Sequence, residues 1–483
     1  MKNMLQKLSF WTLALAVLFT TATIAQADPI EVQTWHDLHN MRNDMAQTTV
    51  YILMNDLDET TDGYSDYNTG AGWQPIGHAQ DRFTATFDGQ GYAIRGLTIN
   101  TENALAGLFG QVHFATIKNL RVLDADITSS AGTVGVLVGS LEVSDIENVT
   151  VSGTIQGTGQ GVTLFGGLLG RQAGGLVTNC ASYVDMELVG RFVGGLVGQM
   201  TAQAQIEQSY YKGNITTSNP NDDNRWIGGL AGQFGGGSMV TDSYAMGDIS
   251  GTHIIGGLIG YHWRGGASVT NSYFVGTVTG DADNAPVDDD GNPIFNIGGI
   301  TGFSNPPQPD TDTDESKLIN TFWDTEVSGL ENSYGGGEYP TDNIGEGKTT
   351  AELKDQATFT DWDFTDVWYI DPDVNDGYPI LQFAIVTDVE NVSEIPDQLS
   401  LNQNYPNPFN PSTVISYQVA SQQHVHLSVY DVTGRLITVL VDKQQSPGEY
   451  QVNWDAGQLS SGVYIYRLEA GGQTLTRNMT FVK

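Results

Sequence analysis

Gly257-Leu258-Ile259-Gly260, followed at 268–272 by Ser-Val-Thr-Asn-Ser, is one copy of a pair of landmarks that recurs along the chain. The tetrads are GLFG (107–110), VLVG (136–139), GLLG (167–170), GLVG (195–198), GLAG (229–232), GLIG (257–260) and GITG (299–302). Their last residues are Gly110, Gly139, Gly170, Gly198, Gly232, Gly260 and Gly302, with gaps of 29, 31, 28, 34, 28 and 42. Six copies keep the first glycine (Gly107, Gly167, Gly195, Gly229, Gly257, Gly299), and Val136 replaces it in the second. A polar residue follows each tetrad: Asn119, Asn148, Asn179, Gln208, Asp242, Asn271 and Asn320. It keeps step with the glycines until the last gap, and Tyr210, Tyr244, Tyr273 and Phe322 follow it in the later copies.

Two landmarks on one period of about 28–30 residues mark a solenoid, because so short a unit cannot bury its own apolar face. The repeats contain short β-rich runs such as Ser268–Val278 between Gly, Asn, Asp and Ser, without helical periodicity. The expected fold is all-β, with one coil of a parallel β-helix per repeat. The tetrad leucines would stack in the lumen at about 4.8 Å, so seven coils would span roughly 30–35 Å. Glycine is expected where the coil bends at positive φ or where backbone passes close to backbone. The aligned Asn, Asp and Gln residues should occupy another turn and bond to their counterparts one coil away.

Composition sets the context. Residues 1–27 carry Lys2 and Lys7, an apolar run from Leu8 to Phe19 and Ala25-Gln26-Ala27, the pattern of a removed signal peptide. No later stretch has the length for a transmembrane segment, so the mature chain is expected outside the cytoplasm. With 56 acidic and 20 basic residues, a net charge of −36 argues against nucleic acid as a partner. The single cysteine, Cys180, rules out a disulfide within the chain and is expected to be a small buried side chain. Acidic loops at 281–291 and 309–315 leave a structural calcium ion as the one cofactor to consider, though Asp288-Asp289-Asp290-Gly291 does not fit an EF-hand.

The tetrads resemble the GLUG motif of bacterial surface proteins, over about residues 28–383. Trp73–Gly77 with Phe83–Tyr92 before them, and Phe322–Gly329 with Gly377–Gln382 after them, resemble the flanks usual in such proteins. The resemblance implies a secreted, often adhesin-like β-solenoid. From about residue 400 the sequence changes: Asn404–Ser412, alternation at Val425, Leu427 and Val429, then Gly448-Glu449-Tyr450 and Ser461–Leu468. Alternating strands over so short a stretch argue for a small β-sandwich, here Ig-like. This stretch resembles the type A C-terminal sorting domain of the type IX (Por) secretion system. That implies the type IX machinery as partner and delivery to the medium or the outer-membrane surface of a Gram-negative bacterium.

The expected divisions are therefore 1–27 signal peptide, 28–100 N-terminal cap and first coils, 101–329 repeat β-helix, 330–385 end of the solenoid, 386–400 linker and 401–483 sorting domain. Chemistry is sparse. No His-Glu-x-x-His helix and no Gly-x-Ser-x-Gly elbow occurs, and Gly347-Lys348-Thr349 lacks the first glycine of a phosphate loop, where Asp342 stands. The chain is expected not to be an enzyme. An extracellular glycan or protein ligand would be held by Trp226, Tyr261, His262, Trp263 and Arg264, with Arg171, Gln199 and Gln233 nearby. The alternative is a β-helix polysaccharide lyase or glycoside hydrolase, which needs clustered carboxylates at a defined separation, or a basic residue beside them, on one face of adjacent coils.

Overall fold

The computed structural model describes residues 28–483 except 131, 158–162, 219–224, 264–265, 282–294, 306–316, 338–343, 387–399, 405, 420–422, 446–447, 458 and 472. The expected signal peptide, most of both acidic loops and nearly all of the linker lie outside the described residues.

One coil shows the plan. Trp226–Gly228 forms face one, Ala231–Gly235 face two, and Met239–Thr241, Tyr244–Met246 and Ile249–Gly251 together face three. Each strand pairs in parallel with its copy in the next coil: Trp226 with Ile254, Ala231 with Ile259, Val240 with Val269, Tyr244 with Tyr273, Ile249 with Val278. Face one holds seven strands and face two eight among the described residues. Face three starts earlier, at Ile30–Val32, and continues to Ile344–Lys348. The fold is a parallel β-helix, as expected.

The lumen is built as the repeat dictates. Leu108, Leu137, Leu168, Leu196, Leu230, Leu258 and Ile300 form a column with no solvent exposure. Each such side chain contributes about 1.5–3 kcal/mol of burial. Their amides climb the same column, Leu196 N–H to the Leu230 carbonyl at 3.2 Å and Leu230 N–H to that of Leu258 at 2.9 Å. The helix Trp35–Asn40, with a Thr34 capping box, buries Trp35 and Leu38 in the same core.

The two expected uses of glycine separate. Among the tetrad glycines only Gly107 has a positive φ, 152°. The others are demanded by close approach: a Cβ on Gly195 would overlap the Gly229 carbonyl and the Tyr211 ring, and one on Gly257 the Gly299 carbonyl and the Phe274 ring. The left-handed turn belongs to the polar landmark, whose seven residues have φ from 44° to 54°. Asn and Asp tolerate that region, and a side-chain amide there can bond along the stack. Asn148 donates to Asn119 at 3.0 Å and Asn320 to Asn271 at 3.3 Å.

The next inward position is a hydroxyl ladder. Ser209 N–H donates to Ser243 Oγ and Ser243 N–H to Ser272 Oγ, each at 3.2 Å. Cys180 occupies the same rung, its N–H donating to Ser209 Oγ and its thiol to the Thr178 carbonyl. Burial pushes that thiol up to about 12, so its role is structural.

Residues 330–385 depart from the expected coil end. Tyr334–Gly337 and Ile344–Lys348 do complete coils, but from Thr349 onward the chain turns back along the outside of face three. There Tyr210, Tyr244 and Tyr273 stack at 4.8 and 5.1 Å. Trp362, Trp368, Tyr378 and Ile380 pack over them. Trp368 Nε1–H donates to Asp242 Oδ1 at 3.1 Å, and the Tyr273 hydroxyl donates to the Pro379 carbonyl. The outward aromatic of the late repeats is thus the bed for a strap.

Residues 400–481 form two antiparallel sheets, one of Ser400–Leu401, Ser412–Val419 and Gly448–Asp455, the other of Gln423–Asp431, Leu436–Gln445, Gly462–Ala470 and Gln473–Phe481. Ile415, Val425, Leu427, Val429, Tyr466 and Met479 bury between them, the alternation seen in the sequence. Asn404 fixes the first turn through Thr413 Oγ1 at 2.9 Å, while its N–H donates to the Tyr466 hydroxyl.

Candidate functional site on the second face

Face two gets its outer surface from strict alternation. In Ile259–Trp263, Tyr261 and Trp263 point outward while His262 points into the lumen. The coil register then sets two outward rows. The first is Gln111, Ser140, Arg171, Gln199, Gln233, Tyr261 and Phe303, and the second His113, Glu142, Ala173, Thr201, Gly235 and Trp263. Neighbours along each row are about 4.8 Å apart.

Face one lies hard against face two. Gly166, Gly194, Gly228, Gly256 and Gly298 are in register, and a Cβ on Gly228 or Gly256 would meet the backbone nitrogen of Gly260 or Gly302 at 2.6 Å. This third glycine of the repeat was missed by reading only the tetrad, although Gly-Gly-Leu is visible in the sequence at four copies and Gly-Gly-Ile at a fifth. The close packing brings outward rings of the two faces together at their seam. Trp226 stacks on Tyr261 at 4.0 Å and 18°, Phe192 leans on Trp226 at 4.5 Å, and Tyr261 stacks toward Phe303 at 6.0 Å. The Arg191 guanidinium lies 5.2 Å from the Phe192 ring and 5.6 Å from that of Trp226.

The expected ligand residues therefore divide. Trp226 and Tyr261 are brought together, but they give their ring faces to each other, and Tyr261 is only 8% exposed. His262 is corrected outright: its side chain is fully buried 5.1 Å from the Phe234 ring, because it falls on the inward phase of the strand. Burial drives its pKa down to about 4, with the backbone of Ala267 acting the other way. Arg264 lies outside the described residues. Trp263 keeps an open ring, 41% exposed. Gln199 Nε2 donates to Gln233 Oε1, so these amides form a ladder of their own.

Toward the N-terminal coils the same rows turn charged. Glu142 is the one carboxylate in them among the described residues. Arg82 reaches its Oε2 at 3.4 Å and Arg171 its Oε1 at 3.7 Å, while Gln111 donates to Oε1 at 3.3 Å. Arg82 also lies 3.2 Å from His113 Nδ1, and the His113 ring stacks on Phe114 at 4.0 Å. Sequence reading named Arg171 but missed Arg82, His113 and Glu142, which become neighbours only once the coil register is known. Among the described residues no group of His, Cys, Asp or Glu is arranged to hold a metal ion.

Residues 403–482 match the family model described as "Secretion system C-terminal sorting domain", and residues 251–279 match "The GLUG motif". The chain carries a type IX secretion sorting domain. It is thus an exported chain, released or held at the cell surface, and the type IX machinery is its partner on the way. The match to the GLUG motif falls on one coil of the solenoid, and the other tetrads repeat its geometry.

Two curated relatives resemble parts of the chain. Halomucin of Haloquadratum walsbyi is 30% identical over 201 residues, 35% of this chain and 2% of that protein. A putative Gly-rich membrane protein of Evansella cellulosilytica is 34% identical over 128 residues, 26% of this chain and 14% of that protein. The chain thus spans a small fraction of either relative. Among solved structures it is similar to an IgA1 protease, with 20% identity and a TM-score of 0.40 over 57% of this chain and 21% of that one.

Proposed function

We propose that the solenoid is the ligand-binding part of an exported surface protein, an adhesin-like module that takes an extended glycan along the outside of face two. The observation behind this reading is the pair of outward rows. They place amides, guanidiniums and aromatic rings at one-rung spacing on a face that the strap leaves uncovered, while the strap covers face three across the coils of Tyr210 to Phe322. Trp263 supplies an open ring for the apolar face of a pyranose. The half-buried Gln199, held in place by its bond to Gln233, offers the rest of its amide to hydroxyls. A rung of about 4.8 Å is close to the length of one hexose in an extended chain, so a linear polymer can meet equivalent groups repeatedly.

The test is a glycan array probed with the secreted chain and its Trp263→Ala variant. Binding to a linear polysaccharide, reduced at least tenfold in the variant, supports the reading. Absence of binding, or a variant that binds equally, sinks it. Following polymer length on the bound glycan distinguishes a binding module, which leaves it intact, from a lyase or hydrolase, which shortens it.

A further inference from the structure

We propose that Arg82 and Arg171, bracketing Glu142 beside His113 and Phe114, form a subsite for the carboxylate of a hexuronate residue. The inference rests on the glycan reading above and names the class of sugar. The protein's own Glu142 shows what the two guanidiniums hold, since its carboxylate lies between them at 3.4 and 3.7 Å. At those separations it leaves N–H donors of both planar forks for a second carboxylate, the shape that a guanidinium fork matches. The three side chains are a quarter to over a third exposed, so a ligand can reach them. The charge of −36 does not forbid an anion here, because charges beyond about 8 Å are screened at physiological salt and these rows hold a single carboxylate.

A second observation points to the same place. The corner after face two is left-handed in successive coils, filled by Gly174, Ala202 and Gly236 at φ 75°, 57° and 65°. Beside the arginines it is filled by Phe114 and Val143 at φ 52° and 45°, a region that disfavours large and β-branched residues. Both side chains stand in solvent, 54% and 52% exposed. Backbone strain spent on exposed apolar groups is a mark of a functional surface. The Phe114 ring, backed by His113, offers a platform for the apolar face of the sugar whose carboxylate the arginines take.

The experiment measures affinity of the full secreted chain for polygalacturonate and polymannuronate oligomers and for their carboxyl-reduced, neutral counterparts. The acidic forms should bind at least tenfold more tightly. Arg82→Gln and Arg171→Gln should each lower acidic binding about tenfold and neutral binding less than twofold, and Arg171→Lys should fall between. Glu142→Gln should tighten acidic binding several-fold by removing the competing carboxylate, a gain that a purely structural ion pair would not give. Equal binding of acidic and neutral forms, with Trp263→Ala weakening both, overturns the uronate subsite and leaves the glycan reading standing. Glu142→Gln that weakens acidic binding also overturns the subsite. Binding of neither form overturns the glycan reading and the subsite with it.

Discussion

His262→Met should remove a specific acid sensitivity from the solenoid. The imidazole is fully buried in an inward column that runs Val112, Leu141, Gln172, Met200, Phe234, His262 and Ser304. Met200 shows that methionine fits this column. Burial holds the folded pKa near 4 against 6.5 in the unfolded chain. Above pH 6.5 both states are neutral at this position and its protonation contributes nothing. As pH falls below 6.5 the unfolded chain takes up a proton that the folded chain refuses, so stability drops until pH approaches 4 and then levels. The window from 6.5 to about 4 is about 2.5 pH units, which at about 1.36 kcal/mol per unit comes to about 3 kcal/mol. The carboxylates titrate in both proteins and cancel in the comparison. Urea unfolding of each protein at pH 7, 6, 5 and 4.5 reads the difference directly. The wild type should lose about 2–3 kcal/mol more than His262→Met over that range. Parallel curves would refute a neutral buried imidazole at position 262.

Gly257→Ala places a methyl group against the Gly299 carbonyl and the Phe274 ring, with no room on either side. It should cost about 3 kcal/mol or more and lower the thermal midpoint of the solenoid, as followed by far-ultraviolet circular dichroism. Trp368→Ala removes a fully buried ring from the strap and its hydrogen bond to Asp242. It should weaken strap docking by about 3–5 kcal/mol and open residues 349–386 to limited proteolysis. Glycan binding on face two should be unchanged. Cleavage elsewhere first, or lost binding, would contradict the separation of strap from ligand face.

What the sequence disclosed and what it hid follow from one physical division. Interior positions are constrained by the neighbours above and below, so they repeat, and repetition is visible in a single chain. The leucine column, the polar turn that bonds from coil to coil and the parallel stacking were legible for that reason. The polar landmark is a turn as expected, but the positive φ expected of the glycines falls there instead, because Asn and Asp are the non-glycine residues most at ease in that region. The glycine landmark was half read: it marks close approach, and the further glycine ahead of it, Gly228 or Gly256, is what lets face one press on face two. His262 was misassigned because the one-residue phase between Tyr261 and Trp263 decides inside from outside. That phase is fixed by strand boundaries, which the tetrad alone does not give.

Exterior residues answer to no such periodic constraint. Arg82, His113, Glu142 and Arg171 stand 29 to 31 residues apart in successive coils, and nothing in their local sequence marks them as neighbours. The strap was hidden for a related reason: Trp362, Trp368 and Tyr378 read as the end of a solenoid, while their partners Tyr210, Tyr244 and Tyr273 read as repeat decoration. Each set looked complete alone. Joined, they close the outside of face three, and that closure directs attention to face two. A long exposed aromatic ladder on an exported chain would be a liability for self-association. Covering it with the chain's own residues removes that liability and keeps the strap off face two, where we propose that a ligand is held.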